Sequence, residues 1–110
     1  MIKYFYLSLA IIFEVIGTLS LKASHGFTKI IPSVVVVVTY VACFYFLSLA
    51  LNYFKSVGFI YAIWAGIGIV LVTVFGVILF KNVVDLPGVI GLSLIVAGAV
   101  ILNIFSKMAH

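Results

Sequence analysis

Charged residues are scarce in this chain of 110 residues, because six lysines, no arginine and two acids supply only 7% of the sequence. A water-soluble domain carries charge on about a quarter of its residues. The charge present here is too little to cover the surface of a soluble globule. Hydrophobic residues make up 67% of the chain, and the composition therefore predicts an integral membrane protein in contact with the lipid bilayer.

Cysteine is also nearly absent, because Cys43 is the only one. A lone cysteine excludes an intrachain disulfide, and no cluster of cysteine and histidine predicts a metal site. No basic stretch lies outside the apolar runs, so nucleic acid is not an expected partner. Lys3 before an apolar run could suggest a cleaved signal peptide, but Glu14 interrupts that run and three further apolar segments follow. We therefore expect the first segment to be a membrane span.

Long apolar runs dominate the rest of the sequence. A spanning helix needs about 20 mainly apolar residues. Four segments of about this length, separated by short polar stretches, lie near 4–21, 32–51, 58–80 and 86–105. The runs are continuous and do not alternate apolar with polar residues, which favours helices over a β-barrel. We predict an all-α membrane protein in which residues 1–110 form a single domain of four transmembrane helices.

The lysines favour neither orientation of such a domain, although positive residues normally mark the cytoplasmic side. One side holds Lys3, Lys55 and Lys107, and the other holds Lys22, Lys29 and Lys81. Insertion in both directions, with pairing to an inverted copy, would explain this balance, and many transporters use that symmetry. Chance among so few charges is the alternative. Because four helices enclose little space, we expect at least two copies, as an antiparallel, dual-topology homodimer.

Glu14 is the single acid inside a span, since Asp85 lies in the last loop. An ionised carboxylate at the bilayer centre is unfavourable by about 2.5 kcal/mol or more, and such residues mostly mark ion or substrate pathways. A structural carboxyl that stays protonated is the alternative. Burial and a partner copy's like charge both disfavour ionisation. Glu14 could then hold a proton that a bulky cation displaces. Such an exchange is sufficient for antiport if the protein switches between its inward-open and outward-open states only when it carries a proton or a cation.

Small and polar residues share the helical face of Glu14. Ala10 and Gly17 lie about one turn on either side of it, and Thr18 adds a hydroxyl one turn away. Small residues leave room beside the carboxylate or let another helix come close. Ordinary helix packing would give the same pattern.

Aromatic residues, 15% of the chain, fit a cationic substrate. Tyr61 and Trp64 line one face of the third span, and Tyr40 and Phe44 line a face of the second. Aromatic rings attract cations through their quadrupoles. Rings at span ends, such as Tyr4, commonly form interfacial belts instead.

Glycines fall at two places of interest. Gly66 and Gly68 stand within one turn of the third span, and because glycine pairs are recognised kink sites, they form a hinge or simply allow close packing. Gly91 and Gly98 lie seven apart on one face of the fourth span. That span carries no acid, Trp or Tyr, so dimerisation suits it better than binding.

Four short pieces of sequence, in this order and spacing, carry a resemblance to a known family. They are A-I-I-F-E-V-I-G-T-L-S-L-K from Ala10, S-H-G-F-T-K from Ser24 with P-S at Pro32, Y-A-I-W-A-G-I-G from Tyr61, and D-L-P from Asp85 with G-L at Gly91 and A-G at Ala97. With these pieces the chain resembles the small multidrug resistance family over essentially its whole length.

The resemblance implies a four-helix protein of the bacterial inner membrane that forms antiparallel dimers and exchanges protons for toxic cations. It implies no enzyme activity and no cofactor, only the proton motive force. It places the shared proton and substrate site at Glu14 and the aromatic pair of the third span at Tyr61 and Trp64. Further substrate contacts are implied at Tyr4, Ala10, Gly17, Thr18, Tyr40 and Phe44, and a dimerisation motif at Gly91 and Gly98.

The residues after Glu14 distinguish two branches of that family. Exporters of guanidinium ions tend to carry a tryptophan after the glutamate-valine pair, whereas Val15 is here followed by Ile16, Gly17 and Thr18. This is similar to the drug-exporting branch, so we predict quaternary ammonium compounds and planar aromatic cations as substrates. A guanidinium exporter and a dual-topology small ion channel are the alternatives.

Three rivals from other classes fit the residues less well. A fluoride channel would place a repelling carboxylate on its anion pathway, a proton-translocating rotor subunit normally has two spans, and a flippase of lipid-linked sugars would not need Glu14.

Overall fold

The computed structural model describes residues 2–107, which contain four α-helices and no strand. These are α1 (Ile2–Ala23), α2 (Ile30–Leu51), α3 (Val57–Phe80) and α4 (Leu86–Phe105). Each is long and apolar enough to cross a membrane. The prediction of an all-α chain with four apolar helices is confirmed, and the observed helix ends differ from the predicted ones by two residues or fewer. The chain divides into two compact units at Ala50 and Leu51, so that α1 and α2 form one helical hairpin and α3 and α4 the other.

The turn between α1 and α2 is built around the buried Ser24. Its hydroxyl donates to the carbonyl of Leu21 over 2.8 Å and accepts from the backbone N–H of Phe27 over 3.0 Å. The chain reverses through the left-handed residues His25, Gly26 and Phe27, with φ of 48°, 72° and 65°. A residue with a side chain disfavours this region of φ, and glycine does not. Of the three residues, only Gly26 therefore adopts its conformation readily, and the hydrogen bonds of Ser24 stabilise the turn.

Both helices of the second hairpin begin with a side-chain cap. The hydroxyl of Ser56 accepts from the N–H of Phe59 over 3.1 Å at the start of α3. The Oδ1 of Asp85 accepts from the N–H of Gly88 over 2.9 Å at the start of α4. Such caps satisfy backbone donors that have no partner inside the helix. Asp85 therefore has a structural role, outside the predicted spans.

Close approach of α1 and α2 determines the packing of the first hairpin. The buried residues of α1 are Leu7, Ala10, Ile11, Val15 and Gly17, which include the small residues on the helical face of Glu14. Phe13 of α1 stacks on Phe46 of α2 with ring centroids 5.8 Å apart and planes 4° from parallel. Apolar burial and ring stacking thus hold the two helices together.

Packing in the second hairpin is uneven along α4. Gly66 of α3 faces Ile95 and Ala99, at 3.7 Å from where a β-carbon on Gly66 would stand. Gly91 and Gly98 have open space beside them, and no residue of α4 is buried. α3 continues as one helix through Gly66 and Gly68, both buried. The hinge at Gly66 and Gly68 and the dimer contact at Gly91 and Gly98 stay predictions.

Candidate proton and cation site

Glu14 lies near the middle of α1, and its two carboxylate oxygens have different surroundings. Oε1 accepts a hydrogen bond from the Thr18 hydroxyl over 2.9 Å. Oε2 is buried and has no hydrogen-bond partner within residues 2–107. Buried polar atoms are nearly always satisfied in folded proteins. Oε2 is therefore the oxygen of this carboxylate whose hydrogen-bonding capacity the described residues leave unused.

The Thr18 hydroxyl connects Glu14 to the second helix. It lies 2.6 Å from the hydroxyl of Tyr40, and the two residues are 22 positions apart in the sequence. A threonine hydroxyl has one hydrogen, and that of Thr18 is directed to Glu14. As long as Oε1 carries no proton, Tyr40 is therefore the donor toward Thr18, and the hydrogen bonds run in one direction from Tyr40 through Thr18 to Oε1 of Glu14.

The position of Tyr40 depends on Gly17. A β-carbon on Gly17 would stand 2.7 Å from Oγ1 of Thr39 and 3.0 and 3.1 Å from two ring carbons of Tyr40. The Thr39 hydroxyl is itself fixed by donation to the carbonyl of Val35 over 2.6 Å. The ring of Tyr40 stacks on Phe44, with centroids 6.4 Å apart. Gly17 thus allows the close helix contact that brings the Tyr40 hydroxyl to Thr18.

The structure places the remaining predicted contacts in different settings. Tyr61 and Trp64 of α3 form a tilted ring pair with centroids 5.8 Å apart, and 62% of the Tyr61 surface is exposed. Tyr4 is exposed, with the ammonium of Lys3 5.3 Å from its ring centroid. Ala10 is fully buried. The sharing of one helix face by Tyr61 and Trp64 agrees with their spacing, while the contacts of all four residues with substrate stay predictions.

Sequence reasoning named Thr18 and Tyr40 as separate contacts and missed the hydrogen bonds that join them to Glu14. The four-residue spacing of Glu14 and Thr18 could have indicated the first bond, since such residues are neighbours on a helix surface. Nothing in the sequence pairs Thr18 with Tyr40, because they lie on different helices.

Comparison with known proteins agrees with this architecture. Residues 2–95 match the family described as Small Multidrug Resistance protein. The quaternary ammonium compound-resistance protein QacF of Klebsiella aerogenes is 49% identical over 107 residues, covering 97% of this chain and 96% of the relative. QacG of Staphylococcus sp. (strain ST94) is 46% identical over 104 residues, covering 94% and 96%. The multidrug transporter EmrE of Escherichia coli (strain K12) is 45% identical over 104 residues, covering 94% of each.

The four helices and the comparisons together determine the cellular location and the family. Four helices of membrane-spanning length and bacterial transporter relatives along the whole chain make this a multi-pass protein of the bacterial inner membrane. Because the match covers most of the chain and the relatives exceed 40% identity from end to end, the chain belongs to the small multidrug resistance family.

Proposed function

We propose that the chain is a proton-coupled antiporter that exports quaternary ammonium and planar aromatic cations, with proton and cation competing for Glu14. The observation that carries the proposal is the buried Oε2 of Glu14, which has no hydrogen-bond partner among the described residues. The class of substrate is supported by the names of three relatives: QacF and QacG are quaternary ammonium compound-resistance proteins, and EmrE is a multidrug transporter.

Electrostatics explains why one carboxylate is sufficient for exchange. An ionised side chain at the bilayer centre is unfavourable by about 2.5–3.5 kcal/mol. A proton on Oε2 removes the charge, and a lipophilic cation beside it compensates the charge, so either one relieves this unfavourable energy. Both cannot occupy the same oxygen. Antiport follows if the protein switches between inward-open and outward-open states only when Glu14 is protonated or paired with a cation.

Aromatic rings supply the second part of the proposed binding. A cation over the face of a tryptophan or tyrosine ring gains about 0.5–2 kcal/mol. The paired rings of Tyr61 and Trp64 suit flat aromatic cations, which also stack on such surfaces. We further propose that Tyr4 and Phe44 contribute ring contacts, and that proton motive force is the only energy source.

The proposed assembly is an antiparallel dimer with an inverted copy of the same chain. The equal division of lysines between the two ends of the four helices is compatible with insertion in both directions. α4 presents no buried residue, and open space lies beside its Gly91 and Gly98, where another helix could approach closely. A bend at Gly66 and Gly68 would let the dimer switch between inward-open and outward-open states.

The test is a pH titration of tetraphenylphosphonium binding to purified protein in liposomes. Wild-type affinity should fall on acidification by up to about tenfold per pH unit, because one proton is displaced for each cation bound, and binding should release protons. Glu14→Gln should bind weakly and without pH dependence. Asp85→Asn is the matched control, because asparagine also caps helices and Asp85 lies outside the site, so it should behave as wild type.

Two results would contradict the proposal. Equal binding by wild type and Glu14→Gln would remove Glu14 from the site, and pH-independent wild-type binding would remove the competition. If tetraphenylphosphonium does not bind at any pH, efflux assays with guanidinium and with fluoride in the same liposomes would test the two alternative functions.

A further inference from the structure

The carboxylate of Glu14 is held from one side only. Thr18 donates to Oε1, Tyr40 donates to Thr18, and Oε2 has no partner among the described residues. Exchange at Oε2 leaves both hydrogen bonds in place. A group that touches neither the proton nor the cation can therefore act on their competition through the other oxygen.

We propose that Tyr40 is a positioning residue that sets, through Thr18, the pH at which protons displace the cation from Glu14. The inference rests on the proposed competition at Glu14 and extends it. Tyr40 would act without touching the cation, in contrast to the direct contact that the family resemblance implies for it.

The physical basis is the difference between a charged and a neutral acceptor. A hydrogen bond to a carboxylate is roughly twice as strong as one to a neutral carbonyl, so the bond from Thr18 stabilises the ionised form more than the protonated one. Donation from Tyr40 polarises the Thr18 hydroxyl, and each bond in such a chain strengthens the next by roughly 10–30%. Both groups therefore favour the state that binds the cation.

The charges of the first hairpin other than Glu14 lie at the ends of its helices and in its turn, which contains His25 and Lys29. α2 has no charged residue, and its other titratable groups are Cys43 and Tyr45. On α1 the charged groups besides Glu14 are Lys3 and Lys22, in its first and last turns. Stacking on Phe44 and contact with Gly17 hold the ring of Tyr40, so removal of its hydroxyl alone would leave the packing unchanged.

The test uses the fact that Glu14 is the only glutamate in the sequence. Protein labelled with ¹³C at the glutamate carboxyl reports the titration of Glu14 alone, without any cation present. Loss of the direct bond in Thr18→Val should move the midpoint to higher pH, and Tyr40→Phe should move it in the same direction by less, because Tyr40 only strengthens the bond that Thr18 makes. Tetraphenylphosphonium titrations should shift by the same amounts, with unchanged affinity at high pH.

A double-mutant cycle makes the inference specific, because Tyr40 is argued to act only through Thr18. In the Thr18→Val background, Tyr40→Phe should cause no further shift. Tyr45→Phe removes an exposed hydroxyl elsewhere on α2, and Thr73→Val removes a hydroxyl of α3 that bonds to the carbonyl of Ile69. Neither control should move the midpoint.

Three outcomes would overturn the inference: an unshifted midpoint in Tyr40→Phe, an equal shift in both backgrounds, or a loss of high-pH affinity without a shift, which would make Tyr40 a direct contact. Failure of the proposed function is separate. It would show as pH-independent cation binding by wild type, whatever the carboxyl titrations of the variants give.

Discussion

Substitution of Gly17 by alanine should uncouple Tyr40 from Glu14 and destabilise the first hairpin. The new β-carbon would lie 2.7 Å from Oγ1 of Thr39 and 3.0 Å from a ring carbon of Tyr40, whereas carbon contacts settle near 3.5–4.0 Å. Rotation of Thr39 would break its bond to the carbonyl of Val35, and withdrawal of α2 would stretch the bond of Tyr40 to Thr18.

The expected size follows from these contacts. Overpacking of this kind costs about 1–3 kcal/mol, offset by up to about 1 kcal/mol from the better helix propensity of alanine. We expect a net loss of about 1–2 kcal/mol, seen as a lower midpoint of thermal unfolding in detergent. The Glu14 carboxyl titration should move upward as in Tyr40→Phe.

A second substitution tests whether the hydroxyl of Thr39 is the obstacle. Thr39→Ala removes the atom that would lie at 2.7 Å, so Gly17→Ala combined with Thr39→Ala should unfold at a higher temperature than Gly17→Ala alone. The reasoning would be refuted if Gly17→Ala matched wild type in both unfolding temperature and carboxyl titration, because α1 and α2 would then not be in the contact described.

Two predictions concern α3. Trp64→Ala should weaken binding of planar aromatic cations by about 0.5–2 kcal/mol, or roughly 2- to 30-fold, with the carboxyl titration of Glu14 unchanged; equal binding in an isothermal titration would remove the ring from the site. Gly66→Ala should fold at least as well as wild type, because its β-carbon would meet Ile95 and Ala99 at an ordinary 3.7 Å and alanine favours helix. If Gly66 is a hinge, the Gly66→Ala protein should bind cations normally and transport them slowly in liposomes. An unchanged transport rate would contradict the hinge.

The sequence predicted the helices well for a physical reason. A bilayer imposes a length of about 20 apolar residues on a spanning helix, so polar stretches mark the helix ends. Glu14 could be identified because a charge inside a span is unfavourable. The turn at His25 and Phe27 could not be predicted in detail, since both adopt left-handed φ without being glycine, and the hydrogen bonds of Ser24 that stabilise it arise only in the folded turn.

The site could be predicted only as far as single helices extend. Spacing along α1 placed Ala10, Gly17 and Thr18 near Glu14, and it left open whether Gly17 provides space or contact. The structure shows contact, because Thr39 and Tyr40 lie against Gly17. This fact depends on the register between α1 and α2, which periodicity within either helix does not determine.

The two oxygens of Glu14 differ in hydrogen bonding, because Oε1 accepts from Thr18 and Oε2 has no partner among the described residues. This difference offers a way to change the pH dependence of such a small exporter. If proton and cation compete at Oε2 as proposed, any further group that binds this oxygen competes with both of them. A change at Oε1 would then alter only the balance between the ionised and protonated forms. Because Thr18 bonds to Oε1 and Tyr40 bonds to Thr18, the proposal predicts that substitutions at these two positions move the pH at which protons displace the cation without changing the surroundings of Oε2.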